Sequence, residues 1–220
     1  MMTKATDNYC TIYVVRHGES ESNVEKVVAG NTDKQLTKAG ERQARERGEH
    51  LAKIKFDAVF SSDLMRAKRT AELIAMEREL AVMTTELLRE RNFGEWENRP
   101  EEEYLKTNKH LLEKLKILSE KEKRDLKFGQ GYESNTEIAE RLATYLREIA
   151  VTYLGKTVLV VSHGSIMRAL LMELGFANYE ELPPKSIENT GYFILESDGV
   201  DFFIKKTFGV NKINNEPNPG

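Results

Sequence analysis

Two stretches of the chain place a histidine and a glycine directly after an apolar run. "YVVRHGESESN" (residues 13–23) delivers Arg16 and His17 before Gly18, and "VLVVSHGS" (residues 158–165) delivers His163 before Gly164. A lone histidine after a strand is ordinarily a packed structural residue. Two buried strands that end alike are harder to explain by packing. A neutral imidazole is a competent nucleophile, and an adjacent guanidinium neutralises developing negative charge. Glycine after each histidine lets the backbone leave the strand sharply and approach a ligand.

A third run, "FDAVFSSDLMRAKRTA" (residues 56–71), ends at Ser61 and Ser62 and opens a helix with Arg66 in its first turns. Helix N-termini and arginine forks both suit phosphate oxygens, through the helix dipole and through bidentate hydrogen bonds. Arg69, about one turn further on, is expected to face solvent. Arg16, His17, Arg66 and His163 together describe a pocket for a dianion. No Asp, Glu, His or Cys set at metal-ligand spacing accompanies them, so neither a metal nor a cofactor enters the scheme. A general acid must come from elsewhere. "ELLRERNFGEWENRPEEE" (residues 86–103) offers many acids, and on composition Glu90, Glu95 and Glu97 are interchangeable.

These residues need strands to carry them. Residues 11–15, 56–61 and 157–162 are short and nearly continuous in apolar residues, as strands buried on both faces of a parallel sheet are. Helical patterns lie between them at 37–53 (N-cap Thr37), 63–79, 134–150 (capping box Ser134 with Glu137) and 164–174. The alternation predicts an α/β three-layer sandwich, a mostly parallel central sheet with helices on both faces. "TGYFILE" and "DFFIKKTF" flank Asp198-Gly199, a strong turn pair, and predict an antiparallel hairpin at the sheet edge. One domain over residues 1–210 is expected, with residues 211–220, ending in "NNEPNPG", as a disordered tail.

Residues 100–128 do not fit the alternation. They are lysine-rich, with Leu105, Leu111, Leu112, Leu115 and Leu118 at roughly helical spacing. One reading is an amphipathic helix whose lysines face water. The other is a cap-like insertion at about 100–130, over the pocket, with lysines turned toward an anionic substrate.

Composition narrows the function. The chain has 220 residues, 40% of them hydrophobic, and a formal charge of −3, which gives no electrostatic reason to expect nucleic acid or an acidic membrane as partner. Cys10 is the single cysteine, so no intramolecular disulfide forms, and its polar lead-in offers no partner for nucleophilic work. "MMTKATDNYC" lacks the apolar core of a secretory signal, and "IMRALLMELGFA" is interrupted by Arg168 and Glu173. A cytoplasmic protein is expected, and a homodimer is left open.

Taken in order, "RHGESESN", "SSDLMRAKRTA", "LLRERNFGEWE", "GYESNTEIAER" and "VSHGS" resemble the motifs of the histidine phosphatase superfamily, the phosphoglycerate-mutase-like group, and within it the broad-specificity phosphatases. The resemblance spans residues 13 to 165. It implies a metal-independent phosphomonoester hydrolase of small phosphorylated metabolites. His17 would become a phosphohistidine, with Arg16, Arg66 and His163 around the transferred group. Glu90 would be the acid that protonates the leaving alcohol and then activates water. Asn23 and the backbone after His17 would hold phosphoryl oxygens, with Ser20, Gly30 and Gly164 completing the substrate-binding set.

The same scaffold serves mutases, sugar-bisphosphate phosphatases and, less often, silent phospho-ligand binding modules. Mutases of the group carry a tryptophan where Val24 stands and a substrate-gripping lysine where Glu101 stands. Both departures favour the hydrolase. A silent member would lack the nucleophile, an arginine or the second histidine, and none is lost here. Asn98 stands where the family pattern has glycine; if that turn needs a positive φ, asparagine is the best-tolerated substitute.

Overall fold

The structure, a computed structural model, describes residues 8–213. The tail expectation falls mostly on residues 214–220, outside the described ones. The three expected strands are β1 (Cys10–Arg16), β2 (Ala58–Ser62) and, as fourth in the chain, β4 (Thr157–Ser162). In the chain β3 (Val82–Thr85) follows β2; it is a short edge strand with Met83 and Thr84 exposed, so it lacks the pattern of a strand buried on both faces. The C-terminal hairpin is β5 (Ile187–Ser197) and β6 (Phe202–Val210), and its turn is fastened by Asp198, whose Oδ1 accepts from the Val200 and Asp201 amides. The six strands form one sheet in the order β3-β2-β4-β1-β5-β6. The first four in sequence are parallel, and β5 and β6 are antiparallel at one edge.

The helices are α1 (Glu21–Glu25), α2 (Lys38–His50), α3 (Met65–Ala75), α4 (Glu101–Thr107), α5 (Lys109–Leu115), α6 (Glu120–Asp125), α7 (Asn135–Thr152) and α8 (Gly164–Glu173). Thr37 caps α2 by accepting from the Gly40 amide, and Ser134 and Glu137 form the capping box of α7. Strand alternation splits the core in two. Ile12, Val14, Val158 and Val160 pack with α7 and α8 on one face; Tyr13, Val15, Leu159 and Val161 pack with α3 on the other. Each strand of the centre is thus buried on both sides, which is why its sequence reads as a continuous apolar run.

Residues 100–128 form three short helices in place of one. Asn108 separates α4 from α5, and a new capping box of Ser119 with Glu122 starts α6. Their leucines do not reach the main core. Leu111, Leu112 and Leu115 join a separate cluster with Val28, Trp96, Phe128 and Tyr132. The Trp96 indole N–H donates to the Phe128 carbonyl at 2.6 Å and ties this cap to the segment carrying Glu90. Asn98 has φ +64, the left-handed region that asparagine tolerates better than most residues other than glycine.

Candidate active site

Strand pairing brings the two histidines together. β1 and β4 run parallel, with Arg16 opposite Ser162, and the His17 amide donates to the Ser162 carbonyl at 3.0 Å. His17 and His163 therefore leave the same sheet edge side by side, their ring centroids 5.1 Å apart. Both are buried, at 4% and 0% exposure. The His17 Nδ1–H donates to the Gly18 carbonyl at 2.6 Å, which fixes the tautomer and leaves the lone pair on Nε2. Burial, then Arg66 and Arg16, hold the His17 imidazole well below its ordinary pKa. The His163 ring is held down by the same burial and by Arg66, His17 and Arg16. Neutral rings follow, and a neutral ring with a free Nε2 is a nucleophile.

Arg16 donates Nη1 to the Ile187 carbonyl of β5, and Arg66 donates Nη1 and Nη2 to the carbonyls of Thr32 and Gly30, each at 2.7 Å. Both guanidiniums are thereby pinned from one side. Among the described residues the buried Nε atoms of Arg16 and Arg66 and both ring nitrogens of His163 have no partner. Arg69 lies on the exposed face of α3, paired with Glu41 and Glu72, as expected.

Glu90 is the acid that reaches this edge. It is 9% exposed and sits over the first turn of α8, where its Oε2 accepts from Ser165 N at 3.0 Å and its Oε1 from Ile166 N at 3.2 Å. Its own backbone is strapped in place. Arg141 of α7 donates to the carbonyls of Leu87, Arg89 and Glu90, and the Ser162 hydroxyl donates to the Leu88 carbonyl. Glu95 does not line the cleft, and Glu97 Oε1 is engaged with the amides of Asn31 and Phe93. The three acids are no longer interchangeable.

The remaining expected residues divide. Asn23, Gly30 and Gly164 line a cleft of about 270 Å³ that contains Arg16, His17, Arg66 and Glu90. Asn23 Oδ1 accepts from the Ser20 amide and hydroxyl, which commits its oxygen and leaves its Nδ2 for a ligand. A Cβ on Gly164 would stand 3.2 Å from Arg16 Nε, so glycine here makes room for that guanidinium. Ser20 does not line the cleft. It is fully buried at the start of α1, and its hydroxyl bonds the side chains of Ser22 and Asn23. Nor does the backbone after His17 offer donors. The amides of Gly18, Glu19 and Ser20 are taken by Thr70 Oγ1, Gln43 Oε1 and Asn23 Oδ1. His163 is fully buried beside His17 and is not part of the cleft lining.

The family follows from the whole chain. A family model of the histidine phosphatase superfamily (branch 1) matches residues 12–208. The chain belongs to that superfamily. The Bacillus subtilis (strain 168) protein "Uncharacterized phosphatase PhoE" is 34% identical over 163 residues, 74% of this chain and 76% of that one. The structure of a phosphoglycerate mutase from Bacillus anthracis str. Sterne matches with a TM-score of 0.80 and 26% identity, covering 94% of this chain and 96% of that one. A phosphoserine phosphatase from Entamoeba histolytica matches with a TM-score of 0.75 and 26% identity, over 90% and 96% of the two chains. Phosphatase activity is the general function that membership and these relatives support.

Three cations of the cleft are not among the expected site residues: Arg91, Arg168 and Lys185. Arg91 sat unassigned beside Glu90. In the sequence Arg168 interrupts an apolar stretch, and a lone arginine in a helix otherwise buried is the available signal. Of the two readings of the segment's lysines, the one in which they face water holds, and the one in which they turn toward the substrate does not. Lys106, Lys109 and Lys114 are exposed and none lines the cleft, because the cap presents Tyr104, Leu105, Leu112 and Phe128 to it. The basic residue at the mouth is Lys185, paired with Glu101 at 2.6 Å. Cys10 is buried, its thiol pushed up to about 12 by burial and by Asp57, which suits it to the core and not to attack. Among the described residues no group of three or more His, Cys, Asp and Glu is gathered to hold a metal ion, and no helix is long and apolar enough to cross a membrane.

Proposed function

We propose that the protein hydrolyses small phosphomonoesters through a phosphohistidine on His17, with Glu90 as general acid and then general base and no metal ion. One observation carries this reading. Four buried nitrogens without a partner among the described residues, on Arg16, Arg66 and His163, surround an imidazole whose free Nε2 is fixed by its tautomer. Arg16 Nε, Arg66 Nε and the single N–H of the neutral His163 ring are donors; buried donors are ordinarily satisfied, and phosphoryl oxygens are acceptors that suit them.

In the first step the His17 Nε2 lone pair attacks phosphorus. The ester P–O bond breaks, its electrons pass to the leaving oxygen, and protonated Glu90 delivers the proton that oxygen needs. Arg16, Arg66 and the neutral His163 ring neutralise or hydrogen-bond the charge spread over the equatorial oxygens. In the second step Glu90 takes a proton from water as the water oxygen attacks phosphorus. The P–N bond then breaks and its electrons return to Nε2.

Hydrolysis is favoured over mutase transfer by Glu101. It stands where a mutase has a substrate-gripping lysine, and it ties up the Lys185 ammonium at the cleft mouth. The test is a coupled assay for interconversion of 2- and 3-phosphoglycerate, with and without 2,3-bisphosphoglycerate, run beside phosphate release in chelator-treated buffer. Phosphate release should dominate and should survive the chelator. Mutase turnover exceeding phosphate release, or activity abolished by the chelator, would overturn it.

A further inference from the structure

Arg47 of α2 is 7% exposed, yet none of the steps above uses it. Among the described residues it makes no ion pair. Its Nε donates to the Thr190 carbonyl at 2.9 Å, and its Nη1 stands 3.4 Å from His50 Nδ1. Its Cζ lies 4.2 Å from the Phe208 ring centroid and 5.2 Å from that of Tyr192. A buried guanidinium without a carboxylate carries a desolvation cost that an apolar side chain in its place would avoid. The residue it holds is unusual too.

Thr190 has φ +57 and is 5% exposed. A β-branched residue in the left-handed region is strained, and persists only where its surroundings hold it there. It sits where β5 slips out of register with β6, between the pairs Ile187–Val210 and Tyr192–Phe208. The β1–β5 ladder ends at Val15 opposite Tyr192, just short of Arg16 and His17. The irregular stretch takes over from there. The Thr190 amide donates to the His17 carbonyl at 3.3 Å, and Asn189 Nδ2 donates to the same oxygen at 3.2 Å.

That oxygen matters to the nucleophile. It shares a rigid peptide plane with Gly18 N, which donates to Thr70 Oγ1 at 3.0 Å. The next plane carries the Gly18 carbonyl, which accepts from His17 Nδ1, and ends at Glu19 N, held by Gln43 Oε1. Glycine offers little resistance to rotation between the two planes. The acceptor that sets the His17 tautomer therefore stays in place only while both planes are anchored.

We propose that Arg47, acting through Thr190, is a positioning residue for His17: it holds the irregular stretch of β5 in the form that grips the His17 carbonyl, and so keeps the imidazole in its Nδ1–H tautomer with Nε2 aimed for attack. The proposal rests on His17 as the nucleophile.

The test is kinetics on p-nitrophenyl phosphate beside histidine-labelled NMR, at a temperature where circular dichroism shows every variant folded. Arg47→Met, which removes the charge and the donor, should lower kcat by about tenfold or more while KM changes by less than about twofold, since the arginines around the phosphoryl group are untouched. The His17 signal, assigned by its loss in His17→Ala, should move from the Nδ1–H tautomer toward a mixture. Arg47→Lys, which keeps a charged donor, should recover part of both. Glycine adopts the left-handed region without steric cost, so in a Thr190→Gly background Arg47→Met should cost only about two- to threefold. Arg147→Met is the control. Arg147 Nε donates to the Val200 carbonyl at 3.0 Å and its Cζ lies 5.2 Å from the Phe202 ring centroid, the same chemistry at the far end of the β5–β6 hairpin, and kcat should not change. A shifted tautomer with undiminished kcat in Arg47→Met would support the positioning contact and fall on His17 as nucleophile. A full Nδ1–H signal with wild-type kcat in Arg47→Met, an equal loss in Arg147→Met, or an undiminished loss in the Thr190→Gly background would overturn the proposal.

Discussion

Arg66 hangs from Gly30: its Nη2 donates to the Gly30 carbonyl at 2.7 Å, and Gly30 holds φ +51 to present that carbonyl. A Cβ at this position would stand 2.1 Å from Glu97 Oε1, an oxygen already held by the amides of Asn31 and Phe93. Gly30→Ala should therefore displace the arginine and lower kcat/KM by about tenfold to a hundredfold, the scale of an ångström-sized misplacement in an active site. Gly175→Ala is the control, since Gly175 has φ +72 but nothing within 4 Å of the added Cβ. It should cost about 1 kcal/mol of stability without a comparable kinetic loss. Equal kinetic effects from the two variants would detach Gly30 from the phosphoryl site.

Glu90→Gln should lower kcat by about 10²–10⁴-fold on alkyl phosphates, the range for a lost general acid. The loss should shrink on p-nitrophenyl phosphate, whose leaving group needs little protonation. Glu95→Gln should show no such dependence, because Glu95 lies outside the cleft lining. Equal losses across good and poor leaving groups would move the acid to another residue.

The two histidines make a pH prediction. Each has a folded pKa well below the ordinary value, because burial and the arginines oppose its charge. In the unfolded chain both titrate near about 6.5. As pH falls below that value the unfolded state binds protons that the native state does not, so stability falls. Above it both states hold neutral rings and this contribution is fully present. Denaturation midpoints should thus decline below about pH 6.5 through these groups, and His163→Asn should flatten the decline. Histidine-labelled NMR should find both rings neutral at pH 6. Protonation of His17 near its ordinary pKa would contradict the burial argument and with it the poised nucleophile.

Sequence alone exposed the chemistry at strand ends because two local signals coincided there, a continuous apolar run and a following His-Gly. His17 and His163 are adjacent for a reason that pattern could not supply, the parallel register of β1 with β4. Ser20 reads like a ligand for the same reason that it makes a good cap: a small hydroxyl before a short helix. The cap was legible as leucine spacing but not as three helices, since the break at Asn108 has no proline or glycine to mark it. Its lysines were conspicuous by number, yet solvent exposure is where lysine ordinarily goes. Arg91 and Arg168 were hidden by the opposite circumstance, single cations whose neighbours only the fold brings together.

The central claim is a phosphoryl group carried on His17. Rapid acid-free quench of turnover with labelled substrate, followed by peptide mapping, tests it most directly. The account predicts an acid-labile, base-stable label on the peptide containing His17, formed and discharged at rates compatible with turnover and absent from His17→Ala. Full activity in His17→Ala, or turnover by the wild-type enzyme with no label on that peptide while Glu90→Gln, slowed in discharge, also accumulates none, would contradict it.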